Sequence, residues 1–350
     1  MRHFIPLVVL SGCLAFGLVS CGGSSVATSG TTPEYADPIH VNNDLLYGVD
    51  ISAPAGSSLV FGSDLKWYFR SSPSSAPTIF PAASSSISYN WMAINDSSIT
   101  VGSSDGQPIK GMAPTSFANN LIVPVDYTGG VALGINTSGQ ITGYLTKSDS
   151  SKTGVFWDPY GLTRVLDGTD DAVGMWIADN GSIYGEQGTG AAETHRPVMW
   201  TKSDSVMHTI PDLPTGNIAS VNIHSATAVV NVKSAGAVVG KATVVTQFPL
   251  TVHVLKGGNA FATSISDGGV VAGYKLRNES DPTSKYAVIW PSINSDPIEL
   301  NTLSPTTSVW NLTEAKFISS SGVIVGTGTA TDTLGHLFYM VQQNPITARK

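Results

Sequence analysis

Seven copies of a short glycine-closed pattern recur along this chain, and their spacing constrains the fold more than any other feature. The clearest copy covers residues 135–143 and reads INTSGQITG. The glycines that close the copies stand about 44 residues apart on average and are Gly62, Gly102, Gly143, Gly185, Gly240, Gly273 and Gly326. A β-patterned repeat of about 40–50 residues is typical of propeller blades, whereas solenoid repeats are shorter or helical.

Each copy predicts a β-hairpin with a defined turn. Asn, Asp and Ser side chains bond to the backbone two residues on, and the last turn position needs a positive φ, which glycine adopts without strain. Beyond the turn, an aliphatic residue such as Ile141 should face the core, and a second glycine should mark the close approach of a neighbouring blade. The second copy has Ser98 at the turn position, and the first copy, which ends at Gly62, is degenerate. The predicted glycine pairs are Gly139 and Gly143, Gly181 and Gly185, Gly236 and Gly240, Gly269 and Gly273, and Gly322 and Gly326.

Apolar runs that follow the hairpins predict the remaining strands of each repeat. Aromatic and β-branched residues at 155–157, 198–200, 287–290 and 337–340 are typical of strands buried on both faces. Further short strands are predicted at 162–166, 206–210 and 297–300. Three to four strands in each repeat make a propeller blade. The predicted fold class is therefore all-β, a single β-propeller of about seven blades, with six or eight as alternatives.

The alternation of this hairpin with an aromatic strand resembles the bacterial extracellular repeat proteins of the HAF family. Residues 132–157 and 262–290 match the family pattern best, and the resemblance spans roughly residues 90–340. The fifth repeat departs from the pattern, because residues 249–255 stand where the aromatic strand should be. The resemblance implies a propeller of repeats, and it brings no established catalytic residues to transfer.

The first twenty residues predict a lipoprotein signal peptide. Arg2 and His3 give a short basic start, and residues 4–19 form an apolar stretch that is short for a membrane span of about 20 residues. The stretch ends in a segment that resembles a bacterial lipobox: Leu18, Val19, Ser20 and Cys21. The resemblance implies cleavage before Cys21 and acylation of its thiol, with palmitate among the chains. The alternative is an ordinary secretory signal with an accidental cysteine.

The predicted domains are the signal peptide at 1–20, a lipidated cysteine and disordered tether at 21–40, and the propeller at 41–345. The Ser, Thr, Gly and Pro content of the tether buries too little apolar surface to fold. As a flexible coil it would span about 25 Å. Because Gly22 rather than aspartate follows the cysteine, the resemblance implies export to the outer membrane. The membrane is thus an expected partner, through the lipid on Cys21.

Composition limits the other partners and the chemistry. The formal net charge is −7, only 12% of residues are charged, and no basic cluster exists, so nucleic acid is a poor partner. The two cysteines are Cys13, inside the signal peptide, and Cys21, so the mature chain is expected to fold without a disulfide. No cofactor and no metal are predicted, and a monomer is expected.

Several local motifs match catalytic or metal-binding patterns only in part. Residues 102–106 match G-x-S-x-G, but the hydrolase motif needs a helix after the serine, and a hairpin is predicted here. Residues 167–171 offer carboxylates without the spacing of a calcium loop. The histidines lack metal-ligand spacing. They are His195, His208, His224, His253 and His336.

Carboxylates and tryptophans are the remaining candidates. Acid–base catalysis needs two carboxylates that face each other. The candidate carboxylates lie in different repeats and are Glu186, Glu193, Asp267, Glu279, Asp281 and Glu314. Trp157, Trp200 and Trp290 share one repeat position, which predicts core packing. Trp91, Trp176 and Trp310 stand just before their hairpins, and aromatic side chains at a propeller mouth can stack on sugars or anchor peptides.

The expected function is a non-enzymatic binding, scaffolding or adhesion platform that is lipid-anchored at the cell envelope. Its partner is a protein or a glycan, and no catalytic residue is assigned. The alternative is an extracytoplasmic glycan hydrolase or lyase with its site in the propeller channel. That alternative requires two carboxylates about 5–10 Å apart at the channel mouth.

Overall fold

The computed structural model describes most of the chain from Tyr35 to residue 343. The described residues are 35, 39–41, 45–52, 57–62, 67–71, 75–76, 78–79, 89–113, 118–168, 171–188, 195–202, 206–210, 213, 215–233, 240–247, 250–303, 310–319, 321–330 and 335–343. They contain 28 strands and a short 3-10 helix at Leu300–Thr302. No helix in this part of the chain is long and apolar enough to cross a membrane.

The described strands form seven four-stranded antiparallel sheets, which we number as blades in chain order. Blade 1 contains β2 (Leu45–Ser52), β3 (Ser57–Gly62), β4 (Trp67–Arg70) and β5 (Thr78–Ile79). Blade 2 contains β6 (Tyr89–Ile94), β7 (Ile99–Ser104), β8 (Gln107–Met112) and β9 (Asn119–Asn120). Blade 3 contains β10 (Gly129–Ile135), β11 (Ile141–Thr146), β12 (Lys152–Trp157) and β13 (Thr163–Val165).

The remaining blades follow the same strand order. Blade 4 contains β14 (Ala172–Ile177), β15 (Ile183–Gln187), β16 (Arg196–Trp200) and β17 (Met207–Thr209). Blade 5 contains β18 (Asn217–Asn222), β19 (Thr227–Lys233), β20 (Gly240–Gln247) and β21 (Leu250–Val254). Blade 6 contains β22 (Ala260–Ile265), β23 (Val271–Leu276), β24 (Lys285–Trp290) and β25 (Ile298–Glu299). Blade 7 contains β26 (Asn311–Ile318), β27 (Ile324–Thr329), β28 (Gly335–Met340) and β1 (Ile39–Val41).

The first strands of the blades line the inside of a closed ring. Contacts join β2 to β6, β6 to β10, β10 to β14, β14 to β18, β18 to β22 and β22 to β26. β26 in turn contacts β2, which closes the ring. Blade 7 takes its outer strand from the other end of the chain, because β1 pairs antiparallel with β28. The predicted fold class, an all-β propeller, is therefore confirmed.

The hairpin turns adopt the left-handed backbone that the repeat predicts. Gly139, Gly181, Gly269 and Gly322 have φ values of 78°, 83°, 77° and 79°. Ser98, which replaces the turn glycine in the second copy, has a φ of 59°. The turn geometry is thus kept without glycine, at a cost of about 1–2 kcal/mol for a residue that carries a β-carbon.

In four of the five predicted pairs the second glycine meets its own blade and not a neighbouring one, so the predicted reason for these four glycines is wrong. A β-carbon there would strike a carbonyl oxygen of the first strand in the same sheet. The colliding pairs are Gly143 with Val131, Gly185 with Val173, Gly273 with Phe261 and Gly326 with Glu314. Each of these first strands has a β-bulge opposite the glycine. A bulge bends and twists its strand, which brings the backbone close to the strand beside it.

The fifth copy of the repeat is wrongly placed in the sequence prediction. The pattern at 232–240 connects β19 to β20, the second and third strands of blade 5, whereas the other copies connect a first strand to a second. The first turn of this blade instead lies at 223–226, between the paired residues Asn222 and Thr227. Its left-handed residue is Ala226, with a φ of 52°.

The glycines assigned to that copy therefore have other roles. A β-carbon on Gly240 would meet the ring of Phe261 in blade 6, and Gly236 lies outside the described residues. The position opposite the bulge belongs to Val230, which pairs with Ile218. Blade 1 has two bulges, and the position opposite the bulge nearer the turn belongs to Val60, while Gly62 stands opposite the other bulge.

The apolar residues predicted to lie in the core are buried. Ile141, Ile183, Val271 and Ile324 are at most 1% exposed, and so are Trp157, Trp200 and Trp290. Each of these three indole N–H groups donates to a carbonyl in the connection from the preceding blade. The acceptors are Ile122, Asp167 and Lys256, at 3.0, 2.7 and 2.9 Å. The repeated tryptophan thus fixes each blade to the segment that leads into it.

The propeller begins before the predicted boundary at residue 41. Tyr35 is 1% exposed, packs in a core shared by blades 6 and 7, and forms a bridge with Gln342. Within the predicted tether at 21–40, Tyr35 is thus buried against the propeller, and residues 39–40 belong to the paired strand β1. The signal peptide, its lipobox and Cys21 lie outside the described residues.

Candidate functional site at the channel mouth

A cavity with about 80 Å³ of space for water-sized molecules opens at one end of the central channel. Its walls come from the first strands of six blades, where each strand reaches its hairpin turn. We call this end of the channel the mouth. The turn residues Asp96, His224 and Asp267 stand at its rim.

One position of the repeat, the residue that follows the bulge, forms the wall of the cavity. It is small in four blades, as Ala93, Gly134, Ser220 and Ser264, and aromatic in two, as Trp176 and Phe317. The indole nitrogen of Trp176 is buried and has no hydrogen-bond partner in the described part of the chain. Since buried donors are almost always paired in folded proteins, this N–H group is suited to an acceptor oxygen that the described residues do not supply.

A histidine at the rim lies between two carboxylates from other blades. His224 belongs to the first turn of blade 5, and its Nδ1 lies 2.6 Å from Oδ2 of Asp179 in blade 4. Its Nε2 lies 3.6 Å from Oδ2 of Asp267 in blade 6. The two carboxylates are therefore separated by little more than the width of one imidazole ring.

The carboxylates around His224 change its acidity. Partial burial by itself lowers the pKa of the imidazole, since it disfavours the charged form. The hydrogen bond that the imidazole donates to Asp179 and the charges of Asp267, Asp179 and Asp96 outweigh burial, so the pKa lies above its ordinary value of 6.5. When it is protonated, the ring joins three adjacent blades at the mouth.

A chain of hydrogen bonds runs around the mouth and joins consecutive blades. It begins where the Asn95 side chain of blade 2 donates to the Asn136 carbonyl of blade 3 at 2.9 Å. The later links are Asn136 Nδ2 to the Ala178 carbonyl at 3.0 Å, Asp179 N to the Ile223 carbonyl at 2.6 Å, Asn222 Nδ2 to Asp267 Oδ1 at 2.7 Å, and Ile318 N to Ser264 Oγ at 3.2 Å. Buried and fully paired polar groups rigidify a structure, so the rim is a firm platform.

Asp179 is occupied by protein donors more fully than Asp267. Its Oδ1 accepts bonds from the backbone N and the Oγ1 of Thr137, at 3.0 and 2.6 Å, while its Oδ2 faces His224. Asp267 accepts one bond at Oδ1, from Asn222, and its Oδ2 lies beyond hydrogen-bond distance of His224. The exposed Oδ2 of Asp267 is therefore the acceptor that the mouth offers to a ligand.

The described mouth residues can bind but do not form a nucleophile and base pair. Asp179 orients the imidazole of His224 as a carboxylate orients histidine in serine hydrolases. The second ring nitrogen, however, faces the carboxylate of Asp267 instead of a hydroxyl or a thiol. The arrangement can hold a proton and present acceptors.

The predicted catalytic motifs fall elsewhere. The G-x-S-x-G match is the β7–β8 hairpin, in which Asp105 and Gly106 make the two-residue turn with φ values of 49° and 76°. A strand and not a helix follows it, so the nucleophile geometry is absent from this segment. In the acidic loop after β13, Asp167 is exposed, while residues 169–170 lie outside the described part of the chain. No group of His, Cys, Asp or Glu among the described residues is placed to hold a metal ion.

The other candidate carboxylates are not brought together. Glu186 is 7% exposed and ties blade 4 to blade 5, since it accepts bonds from the backbone N of Ile218 and the side chain of Asn217. Its other oxygen lies 2.9 Å from His195. Glu314 pairs with Lys285 of blade 6 at 3.2 Å. Of the rest, Glu279 accepts from Asn259, Asp281 closes a local turn with Thr283, and Glu193 lies outside the described residues.

Sequence reasoning missed Asp179 and His224 as site residues, although one signal was available. Aspartate recurs at a single repeat position, directly after the Asn, Ala or Ser that begins the turn, as Asp96, Asp179 and Asp267. A ring of blades brings equivalent positions together, so a recurrent turn carboxylate indicates an acidic rim. His224 carries no such signal, because the copy that contains it was wrongly placed.

No family model and no curated sequence matches this chain. Solved structures match its fold. YCF48 bound to a D1 peptide is 9% identical over 93% of this chain and 100% of its own, with a TM-score of 0.50. A chain from a study of two prolyl endopeptidases is 10% identical over 87% of this chain and 50% of its own, with a TM-score of 0.55. TolB from Acinetobacter baumannii is 10% identical over 73% of this chain, with a TM-score of 0.45, and this chain spans 62% of its length. At such identities, the two matches with TM-scores of 0.50 and 0.55 show a shared fold and nothing of the activity.

Proposed function

We propose that this protein is a non-enzymatic binding platform, lipid-anchored at the cell envelope, whose ligand docks at the mouth of the propeller channel. The observation that carries the proposal is the convergence of Asp179, His224 and Asp267 beside the cavity, from three different blades. A concave site with a few convergent polar groups is the usual form of a binding site.

The envelope location rests on the sequence. The lipobox at 18–21 supports acylation of Cys21, and Gly22 supports export to the outer membrane. Two or more acyl chains give stable membrane attachment, at about 0.8 kcal/mol for each buried methylene group. The hairpin and aromatic-strand pattern supports membership of the HAF repeat proteins. We propose a monomer that does not bind nucleic acid, since the chain lacks a basic cluster.

The mouth is suited to a ligand that carries hydroxyl groups, such as the end of a glycan. Oδ2 of Asp267, which lies 3.6 Å from Nε2 of His224, can also accept a hydroxyl proton, and the buried N–H of Trp176 is a donor without a partner among the described residues. The rings of Trp176 and Phe317, which line the same cavity, offer apolar faces against which a sugar ring can pack. A protein segment is the other partner class, and it would use the same groups.

A glycan array probed with acyl-free protein tests the proposal. Trp176→Phe keeps the ring and removes the N–H donor, and Asp267→Asn keeps the bond from Asn222 while it removes the charge. Both variants should lose most of the array signal. Asp149→Asn, on an exposed turn at the opposite end of blade 3, should bind like the wild type. If no glycan and no envelope protein binds, or if binding ignores the two mouth variants, the proposal is wrong.

A glycan hydrolase or lyase is the second candidate, and one observation favours it: Asp179 and Asp267 stand on either side of a single imidazole ring. Such a spacing suits a carboxylate pair that acts on a glycosidic bond. Binding ranks first because Asp179 already accepts hydrogen bonds from Thr137 and faces His224, so its oxygens are engaged by the protein itself. Mass spectrometry of glycans incubated with the protein separates the two functions, since only an enzyme shortens them.

A further inference from the structure

The two faces of the propeller can be told apart by strand direction. In blades 2 to 7 the first strand runs toward the mouth and ends beside the cavity, where the described turn residues form the rim. Because all four strands are antiparallel, the second strand leaves the mouth, the third returns to it and the fourth leaves again. The turns between second and third strands, such as 147–151 in blade 3, therefore lie on the opposite face.

The strand that closes blade 7 places the N-terminal segment at the mouth face. β1 takes the fourth position of that blade and pairs antiparallel with β28, so it runs away from the mouth and begins beside it. Tyr35 bridges Gln342, which stands just beyond the end of β28 at the mouth. A β-carbon on Gly322, in the mouth turn of blade 7, would strike the side chain of Gln342. The pairing of β1 and the bridge to Gln342, which lies against the mouth turn of blade 7, thus put residue 35 at this face.

We infer that the mouth is turned toward the membrane that holds the lipid anchor, so that the ligand it binds is presented at the lipid surface. This inference rests on the proposed acylation of Cys21. Thirteen residues, 22–34, separate that cysteine from Tyr35. A chain of this length that forms the coil expected from its Ser, Thr, Gly and Pro content spans about 20 Å, and a strand of six residues is itself about 20 Å long.

The length of the tether favours this orientation over the reverse. To point the mouth away from the membrane, the tether would have to pass along the full height of blade 7 before it reached the lipid. The height of blade 7 is about equal to the average end-to-end distance of the coil. No length of tether would then remain to separate the opposite face from the lipid. With the mouth toward the membrane, the same length forms a gap between rim and headgroups. The carboxylates of Asp96 and Asp267 keep that gap open, since anionic lipid phosphates repel them.

Two single-cysteine variants within one blade test the orientation. Ser138, in the mouth turn of blade 3, and Ser148, in the turn on the opposite face, are both exposed. Once Cys13 is removed and Cys21 is acylated, Ser138→Cys and Ser148→Cys each offer one free thiol for a fluorescent label. The full acylated chain is then reconstituted in vesicles whose lipid headgroups carry a nitroxide quencher.

We expect the label at position 138 to lose clearly more fluorescence than the label at position 148. Equal loss, or greater loss at 148, overturns the inference. An acyl-free chain with a polyhistidine tag before residue 22, bound to nickel-chelating vesicles, separates this outcome from failure of the anchor. If the native protein does not float with vesicles, the proposed lipidation is wrong, and the tagged chain still decides which face is turned toward the lipid.

Discussion

At the scale of single residues, the mouth depends on His224 and the carboxylates around it. The histidine makes its contacts only because the hairpin turns of blades 4, 5 and 6 meet at the end of the channel. From the sequence, His224 was one of several scattered histidines, and Asp267 was explained by its place in a turn. Both descriptions are locally correct. The sequence relates Asp179 to this site only through the repeat position that it shares with Asp96 and Asp267, because Asp179 stands 45 residues from His224 along the chain.

The raised pKa of His224 predicts a pH-dependent stability. Folding raises this pKa above 6.5, so the stabilisation is complete below that value and is lost as the pH rises through the pKa of the folded state. The free energy of unfolding, measured in urea, should fall as the pH rises above 6.5. His224→Gln should remove that part of the pH dependence.

His208→Gln provides the control for this measurement, because His208 is exposed on the outer strand β17. The slope of stability against pH should be the same in this variant as in the wild type. A His224→Gln protein that kept the full slope would show that the three-blade contact contributes nothing to folding.

At the scale of elements, the hairpins could be predicted because their signals are local. A turn glycine, an aliphatic residue and an aromatic third strand lie within about 25 residues of one another, and blades 3, 4 and 6 follow this pattern as expected. Blade 5 could not be placed in the same way. Ala226 and Val230 take its two glycine positions, while Gly236 and Gly240 supply the same spacing one hairpin later. When residues other than glycine occupy the turn and the position opposite the bulge, a repeat pattern based on glycine cannot detect them.

The bulge opposite the second glycine predicts a sharp penalty for any side chain. Gly143→Ala would push a β-carbon into the carbonyl oxygen of Val131, and it should lower the free energy of unfolding by about 1–3 kcal/mol, as overpacking does. Gly335→Ala is the matched control, since nothing lies within 4 Å of its β-carbon position and its φ is not positive. Equal urea midpoints for the two variants would contradict the proposed role of the bulge.

At the scale of the whole molecule, the repeat predicted a ring, and the way the ring closes came only from the structure. A period near 44 residues indicates blades but does not say which strand completes the last one. β1 has only three residues, Ile39–Val41, and carries no copy of the repeat. Its pairing with β28 is a contact between distant parts of the chain, and local patterns do not encode such contacts.

Closure by β1 predicts where the chain can be shortened. An acyl-free protein that begins at residue 34 should unfold at the same urea concentration as one that begins at residue 22. A protein that begins at residue 43 lacks both β1 and Tyr35, and it should lose about 3–5 kcal/mol, the usual effect of removing a large buried aromatic side chain. If both truncated proteins unfold at the same midpoint, β1 does not hold the ring closed.

The bridge between Tyr35 and Gln342 brings the two ends of the propeller side by side. Adjacent termini are the condition under which a protein tolerates circular permutation. A short linker could therefore join these ends, and a new start could be cut into an exposed loop such as 147–151. In that rearranged protein β1 would lie in the interior of the chain. The covalent linker, and not only the β1–β28 hydrogen bonds, would then hold the ring closed. A fusion partner attached at the new start would leave from the face opposite the mouth.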